Sequence, residues 1–518
     1  MHIGVDLDNT LLNYDASILA AAEFLSVSLP DEIKTKNQVS KFLKSTDEGE
    51  LCWQKIQGLA YGRFLKSHAK LYPGVKRFLM HCYLKGNPVT IVSHKTQYGH
   101  FDSERINLRE VVLEFLDSQD LKIEKIYFEN THEEKIERIK RNRFSWFIDD
   151  LPKVIRDLQG LKTRLICFGI DFSDWQQIDN LILGEWSESE ILSLFLQLTG
   201  GTAVRAEKNT SGGNGAVYRL FDSQKKSYKL KLYPADSVHD RLQSEFESCS
   251  MLIDFGLDSI PKPMIYSAEL GVGIYEWVDG LQLSDPSEQD LKQCTQFLAQ
   301  LHRIGKKIEY ESVSRASAAC LSGLEIELQI RSRLNFLEDA REIYGELNLF
   351  LCDFLNPILE NIIDLTRKNW NLEVDYETLL PREYQTLSPS DFGFHNAIKK
   401  SDDSIVFIDF EYFGWDDPTK LIADFVLHPG MNLSTEMTAH WLEETTRIYG
   451  EETMRRYAVS KPFYGLIWSL ILLNDFREEI WTRRVLANPS RKISRQLRLE
   501  SQLDKAKNLL RSLEEQYL

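Results

Sequence analysis

The sequence predicts an α/β chain in two parts. The first is a parallel sheet covered by helices and carrying a small helical insert; the second pairs a small antiparallel sheet lobe with a larger helical lobe. Three observations predict this. Short apolar runs alternate with amphipathic segments from Met1 to about Gln197, which is the rhythm of strand-helix-strand units. After "LTGG", Leu198 to Gly201, strands follow one another closely with Gly-rich or polar turns, as in an antiparallel sheet. At 518 residues the chain also exceeds what one hydrophobic core usually organises.

In the first part, residues 1–197, the strands are read as "HIGVDLD", "PVTIVSH", "KIYFE", "SWFIDD" and "TRLICFG", separated by helix-like stretches such as "GVKRFLMHCYL" and "LREVVLEFL". Apolar strands with helices between them imply a sheet buried on both faces. Between the first strand and Pro73-Gly74 lies a segment rich in helix formers, approximately residues 15–72, that the sheet does not require. It is expected to be a helical cap over the strand ends.

In the second part, residues 198–518, "TAVRAEK", "AVYRLF", "SYKLKLY" and "VGIYEWV" are the strands of a lobe over approximately 198–284. Asp285-Pro286 is expected to be an N-cap followed by a first-turn proline. Leu291, Cys294, Phe297, Leu298 and Leu301 then recur at helical spacing and open a helical lobe over approximately 285–518. The longest apolar run, "FYGLIWSLILL" from Phe463, is too short to span a bilayer and reads as a buried helix.

The formal charge of -16 argues against a sequence-independent grip on nucleic acid or anionic lipid, because such binding needs a basic surface. The seven cysteines, Cys52, Cys82, Cys167, Cys249, Cys294, Cys320 and Cys352, are scattered without a Cys-x-x-Cys pair. They are expected to be reduced residues of a cytoplasmic protein. The N-terminus runs directly into a strand holding two acids, unlike the uninterrupted apolar region of a signal peptide.

"VDLDNT" ends the first strand with Asp6, Asp8 and Thr10, at the carboxyl edge where parallel sheets bind ligands. Ser93 ends "VTIVS", Lys135 lies in "EEKIERIK", and Asp149 and Asp150 end "SWFIDD". In this order the four positions resemble the motifs of the haloacid dehalogenase (HAD) superfamily over about the first 195 residues. The resemblance implies a Rossmann-like fold and a phosphatase in which Asp6 is the nucleophile and forms an aspartyl-phosphate. It implies that Asp8 protonates the leaving oxygen and then activates water, and that Asp6, Asp8, Asp149 and Asp150 supply a Mg2+ site. Ser93 and Lys135 would bind phosphoryl oxygens; Lys140 stands closer to "IDD" than that spacing requires. The cap would restrict the site to small substrates.

"NTSGGNGAVYRL" places Gly212, Gly213 and Gly215 between two strands, where glycines let backbone amides approach phosphates; a plain hairpin turn explains them equally well. In "SYKLKLY" Lys229 and Lys231 share one face of a strand, and period two does not choose between them. In "RLQSEFESCSMLI", Leu242, Glu245, Cys249 and Leu252 form one stripe, so Glu245 faces a core and needs a cationic partner. Further on, "SPSDFGFHN" spaces Asp391 and Asn396 as in a kinase catalytic loop, and Asp409 follows in "VFIDFEY".

Taken in order these residues resemble the aminoglycoside phosphotransferase and choline/ethanolamine kinase superfamily, from about Gly200 to Ser460, with "IDFEY" nearest the choline-kinase branch. The resemblance implies a bilobal protein-kinase-like (α+β) fold using ATP or another NTP. Asp391 would orient and deprotonate the acceptor hydroxyl, Asn396 and Asp409 would hold Mg2+, and Lys231 paired with Glu245 would contact nucleotide phosphates. "YEWVDG" would be the hinge that meets the base, through Glu276 and Val278. Glu411 and Trp415 are expected to face the substrate, Trp415 with core packing as its alternative, and Asp424 to anchor a loop. Pro389 stands where the family usually has a histidine, which implies a stiffened loop.

Together the two resemblances imply a bifunctional enzyme acting on small phosphates and alcohols, in which a capped phosphatase is joined to a small-molecule kinase and both use Mg2+. Sugar or amino-alcohol substrates for surface glycans or lipid head groups would suit such a pair. The alternatives are an active half joined to a regulatory or scaffolding half, and a nucleic-acid end-healing enzyme. The last would need a basic path and usually a P-loop, and the chain has neither.

Overall fold

The computed structural model describes residues 1–46, 49–99, 101, 104–209, 215–234, 240–431, 433–487 and 494–518. The chain forms two compact units, Met1–Thr202 with Glu269–Gly271, and Ala203–Ala268 with Val272–Leu518.

The first unit is built on a five-stranded sheet with Ile3–Val5 at its centre. Val89–His94 and Trp146–Asp149 flank that strand in parallel, and Lys125–Glu129 and Arg164–Cys167 lie outside them, also parallel. These are the expected strands, and their inner residues Ile3, Val5, Ile91, Val92, Phe147 and Ile148 are buried. Two of the connecting helices begin with a side chain that satisfies free N–H groups, Asn107 before Leu108–Ser118 and a Thr131/Glu134 capping box before His132–Asn142, whereas Val75–Leu84 and Pro152–Asp157 start without a side-chain cap. The insert consists of the helices Asp15–Phe24, Lys36–Lys44, Gly49–Tyr61 and Leu65–His68. The short strands Leu12–Asn13 and Lys70–Leu71 pair antiparallel and close its neck.

The second unit starts with a five-stranded antiparallel sheet ordered Pro263–Ser267, Val272–Glu276, Ser227–Leu232, Ala216–Asp222, Ala203–Asn209. Pro263–Ser267 is an edge strand that the sequence reading does not contain. Helix Arg241–Asp254, capped by Asp240, buries Leu242, Glu245, Cys249 and Leu252, while Glu247 is exposed.

The first helix of the helical lobe, Glu288–Gly305, begins two residues later than Asp285-Pro286 implies. Ser287 caps it and Asp290 completes the capping box. The lobe gathers around helix Glu451–Leu472, in which Phe463–Leu470 is buried throughout. Small antiparallel pairings, Ala397–Lys399 with Ile405–Phe407 and Thr386–Ser388 with Gly414–Asp416, hold the loops that carry the polar residues discussed below. All seven cysteines are free thiols. Among the described residues no helix is long and apolar enough to cross a membrane.

Candidate functional site

Each unit gathers acids at loop ends. In the first, Asp6 leaves the central strand and its backbone N–H donates to Ile148 O at 2.8 Å. Lys135 Nζ donates to Asp6 Oδ1 at 2.6 Å and stands 2.6 Å from Asp149 Oδ2. Lys135 is 2 % exposed whereas Lys140 is exposed, so the helix turns only Lys135 into the site. Ligand oxygens of Asp6, Asp149 and Asp150 lie within 4.8 Å of one another. Thr10 ties the loops together: its Oγ1 accepts from Asp150 N at 3.1 Å, and Trp175 Nε1 donates to Thr10 O at 3.0 Å.

Burial, partly offset by Lys135, pushes the Asp6 carboxyl up to about 7. Burial and the neighbouring Asp6 charge push Asp150 up to about 6. Burial works against Lys135 as a cation, but Asp6 and Asp149 outweigh it and raise its pKa. Acids crowded this closely favour a positive guest, and a set of hard carboxylate oxygens fits Mg2+. Ser93 Oγ, on the strand Val89–His94 that pairs with Ile3–Val5, is buried with no hydrogen-bond partner among the described residues.

Asp8 departs from expectation. Its carboxylate is outside the trio, because Lys95 Nζ donates to Oδ1 at 2.8 Å and to Oδ2 at 3.0 Å, and Tyr14 Oη donates to Oδ1 at 2.6 Å. Burial raises the Asp8 pKa, but Lys95 and Tyr14 together outweigh it and hold the carboxyl below its ordinary value. The sequence reading missed Lys95 and Tyr14. The available signal was a lysine two residues after Ser93, at the same sheet edge.

In the second unit Lys229 and Lys231 both reach Glu245: Lys229 Nζ to Oε1 at 3.0 Å and Lys231 Nζ to Oε2 at 2.7 Å. Only Lys231 goes further, donating to Asp409 Oδ1 at 2.6 Å and standing 3.2 Å from Glu411 Oε2. The structure thus separates the two lysines that the strand period leaves equivalent. Tyr233 Oη also donates to Glu245 Oε2, at 2.6 Å. Burial opposes ionisation of Glu245, but Lys229 and Lys231 prevail and bring its pKa down to about 2. Burial moves Asp409 the other way, up to about 6, against the pull of Lys231.

Asn396 lines one cavity with Lys231 and Asp409, and its loop carries Asp391. Asn396 Nδ2 donates to Asp391 O at 2.9 Å, and Ile408 N donates to Asn396 O at 2.9 Å, which fastens the loop to the segment bearing Asp409. His395 Nε2 donates to Asp391 Oδ1 at 2.9 Å. Burial raises the Asp391 pKa, but His395, His428 and Asn396 outweigh it and keep the carboxyl below its usual value. An ionised carboxylate is the form that accepts a hydroxyl hydrogen. Ser390 and Asp409 adopt left-handed φ of 67° and 71°, a strain that persists where surrounding contacts fix it. A Cβ at Gly393 would meet Met431 Sδ at 2.7 Å, so a side chain there would have to displace Met431.

A cavity of about 350 Å³ opens beside these groups. Gly215, Lys229, Lys231, Glu276, Trp277, Val278, Asn396, Asp409 and Glu411 are among its lining residues. Gly215 is close to Leu232 O, which a Cβ would approach to 2.7 Å. Gly212 and Gly213 lie outside the described residues. Asn396 spends its amide nitrogen on Asp391, which leaves the oxygen, the atom a cation takes; Asn396 and Asp409 line the same cavity, and oxygen donors of their kind are those Mg2+ takes.

Glu411 is buried and turned to Lys231 and to Arg241 Nη1, which donates to Glu411 Oε1 at 3.3 Å. Trp415 does not face a substrate. It is 0 % exposed, donates to Tyr310 O at 3.1 Å, and carries the Arg382 guanidinium 3.4 Å from its ring centroid; packing takes the whole indole because the strand Gly414–Asp416 directs it inward. Asp424 anchors structure, accepting from Lys420 Nζ at 2.9 Å and from Trp468 Nε1 at 2.8 Å.

Comparison with curated proteins gives no match. Among solved structures, spectinomycin phosphotransferase APH(9)-Ia, in complex with ADP and spectinomycin, is 14% identical with a TM-score of 0.44, over 64% of this chain and 99% of that one. An ethanolamine kinase of Plasmodium vivax is 17% identical with a TM-score of 0.39, over 56% and 82%. Choline kinase LicA from Streptococcus pneumoniae is 16% identical with a TM-score of 0.41, over 62% and 98%. Residues 206–459 match the phosphotransferase enzyme family, APH. That segment holds Gly215, Lys231, Glu245, Asp391, Asn396 and Asp409, and it is a phosphotransferase enzyme family domain.

Proposed function

We propose that the chain is a bifunctional phosphoryl-transfer enzyme. Its second unit is a kinase that moves the terminal phosphoryl group of ATP, or another NTP, to a hydroxyl of a small metabolite, and its first unit is a phosphatase. The observation that carries the kinase reading is the bonding of Lys231 to both Glu245 and Asp409, with Lys231, Asp409 and Asn396 lining one cavity inside the matched segment. Lys231 contacts nucleotide phosphates while Glu245 fixes its position, and Glu276 and Val278 border the place of the base. Asp391 accepts the acceptor's hydroxyl proton.

The phosphatase reading is supported by Asp6 set beside Lys135, Asp149 and Asp150 at the carboxyl edge of a parallel sheet. Asp6 attacks phosphorus and forms an aspartyl-phosphate, Lys135 and Ser93 bind the phosphoryl oxygens, and Asp8 manages the protons. Asp6, Asp149 and Asp150 would hold Mg2+ in this unit, and Asn396 and Asp409 in the other. When bound, the ion supplies positive charge against the phosphoryl oxygens.

A kinase and a phosphatase acting on one position would only consume ATP, so the two sites act on different positions or on successive intermediates. Sugars and amino alcohols of glycan or lipid head-group synthesis fit that requirement. The test is to measure ATP consumption with a panel of sugars and amino alcohols, and phosphate release from the corresponding phosphates, with Mg2+ present. Turnover in both assays supports the proposal. A purified, folded chain that turns over nothing in one of them loses that half.

A further inference from the structure

The first unit contains a buried cation that the phosphatase reading does not use. Lys95 is 3 % exposed, and the acid it donates to is Asp8, through two hydrogen bonds of 2.8 and 3.0 Å. Its backbone is fixed as well: Lys95 N donates to Glu129 O at 3.1 Å and Arg109 Nε donates to Lys95 O at 2.8 Å. Tyr14 adds its hydroxyl to Asp8 at 2.6 Å. The ammonium stands 4.9 Å from the ring centroid of Tyr61, the last residue of an insert helix, and 5.6 Å from that of Tyr14. The Tyr14 and Tyr61 rings meet edge to face, 4.5 Å apart.

Burying a lysine is costly unless its partner is fixed, and here the partner is the acid two residues from Asp6. Three hydrogen bonds from two donor groups on one carboxylate define both its rotamer and its form, since only an ionised carboxylate accepts on every side. We propose that Lys95, assisted by Tyr14, is a positioning residue that holds Asp8 as the base for hydrolysis of phosphorylated Asp6, with Tyr61 of the helical insert covering the lysine. In that step a water oxygen bonds to phosphorus as the bond from phosphorus to the Asp6 oxygen breaks. The electron pair returns to the Asp6 carboxylate, and the water proton passes to Asp8.

This inference rests on the phosphatase reading, so the experiment separates the two. Acid-quenched phosphoenzyme and steady-state phosphate release are measured for the full chain, its K95M and Y14F variants, D8N, and the D8N/K95M double variant, using the phosphate ester that the panel identifies. Lys95→Met is expected to lower kcat by ~10²-fold, the cost of a misplaced catalytic group, with phosphoenzyme accumulating and KM falling alongside kcat, because dephosphorylation then limits turnover. Tyr14→Phe is expected to do the same more weakly without loss of the folded state. The double variant is expected to be no slower than D8N alone, because Lys95 acts through Asp8. Wild-type kcat in K95M and Y14F, or additive losses in the double variant, would overturn the inference and leave the phosphatase standing. A folded wild type that forms no phosphoenzyme removes the phosphatase reading and the inference with it.

Discussion

Lys231 Nζ lies 2.6 Å from Asp409 Oδ1, across 178 positions of sequence, and the same ammonium lies 2.7 Å from Glu245 Oε2. One side chain therefore joins the antiparallel sheet, the helix Arg241–Asp254 and the segment after Phe407 at the wall of a single cavity. Lys229 shares Glu245, yet its ammonium is not joined to Asp409 or Glu411 by an ion pair among the described residues. The two lysines consequently have unequal roles.

Lys231→Met is expected to lower ATP-dependent phosphorylation by ~10²-fold or more, because it removes a preorganised charge aimed at the phosphoryl groups. Lys229→Met is expected to cost ~10-fold or less, since Lys231 still holds Glu245. Initial rates with ATP varied at fixed acceptor check the ranking, and equal losses would refute it.

Glu245 gives a pH dependence with a defined sign. Its pKa falls from 4.5 to about 2 on folding because Lys229 and Lys231 overcome burial. As acid is added the unfolded chain takes up the proton first, so the stabilisation is complete above pH 4.5 and is lost as pH falls toward about 2. Thermal unfolding of the wild type and of Glu245→Gln is expected to differ most above that window and to converge within it. A constant difference across the window would contradict the pairing.

Trp415→Ala is expected to destabilise the second unit by about 3–5 kcal/mol, the usual cost of emptying a buried aromatic site. KM for the acceptor should be unchanged at temperatures where the variant is folded. A selective rise in acceptor KM would return Trp415 to the substrate face.

Chelation of divalent cations is expected to abolish ATP-dependent phosphorylation and phosphate release alike, with Mg2+ restoring both. Full activity in excess EDTA would remove the acids of either site from a metal role.

Much of this was legible in the sequence because it is local. The five parallel strands announce themselves by continuous apolar runs, and Glu245 by its place on a helical stripe. What was missed depends on distance or on the edges of elements. Lys95 finds Asp8 across 87 positions, and Tyr61 reaches the same ammonium from the insert, so neither leaves a local pattern. Pro263–Ser267 is an edge strand that opens with a proline, and its residues are only half-buried or exposed, so no apolar run marks it. Asp285 and Ser287 are each followed three residues later by an acid, Glu288 and Asp290, so the sequence offers two caps, and the structure takes the second. Trp415 could be read either way, since an aromatic beside polar site residues looks alike from sequence whether it packs inward or faces a ligand.

The central claim is that two chemically separate sites reside in one chain, and crossed variants test it most directly. Phosphate release and ATP-dependent phosphorylation are measured side by side in the wild type, Asp6→Asn and Asp391→Asn. The account predicts that Asp6→Asn loses phosphate release by ~10³-fold or more while retaining kinase turnover, and that Asp391→Asn does the reverse, as expected when a nucleophile or a base is removed from one of two independent sites. Both variants losing the same activity, or neither losing any, would contradict it.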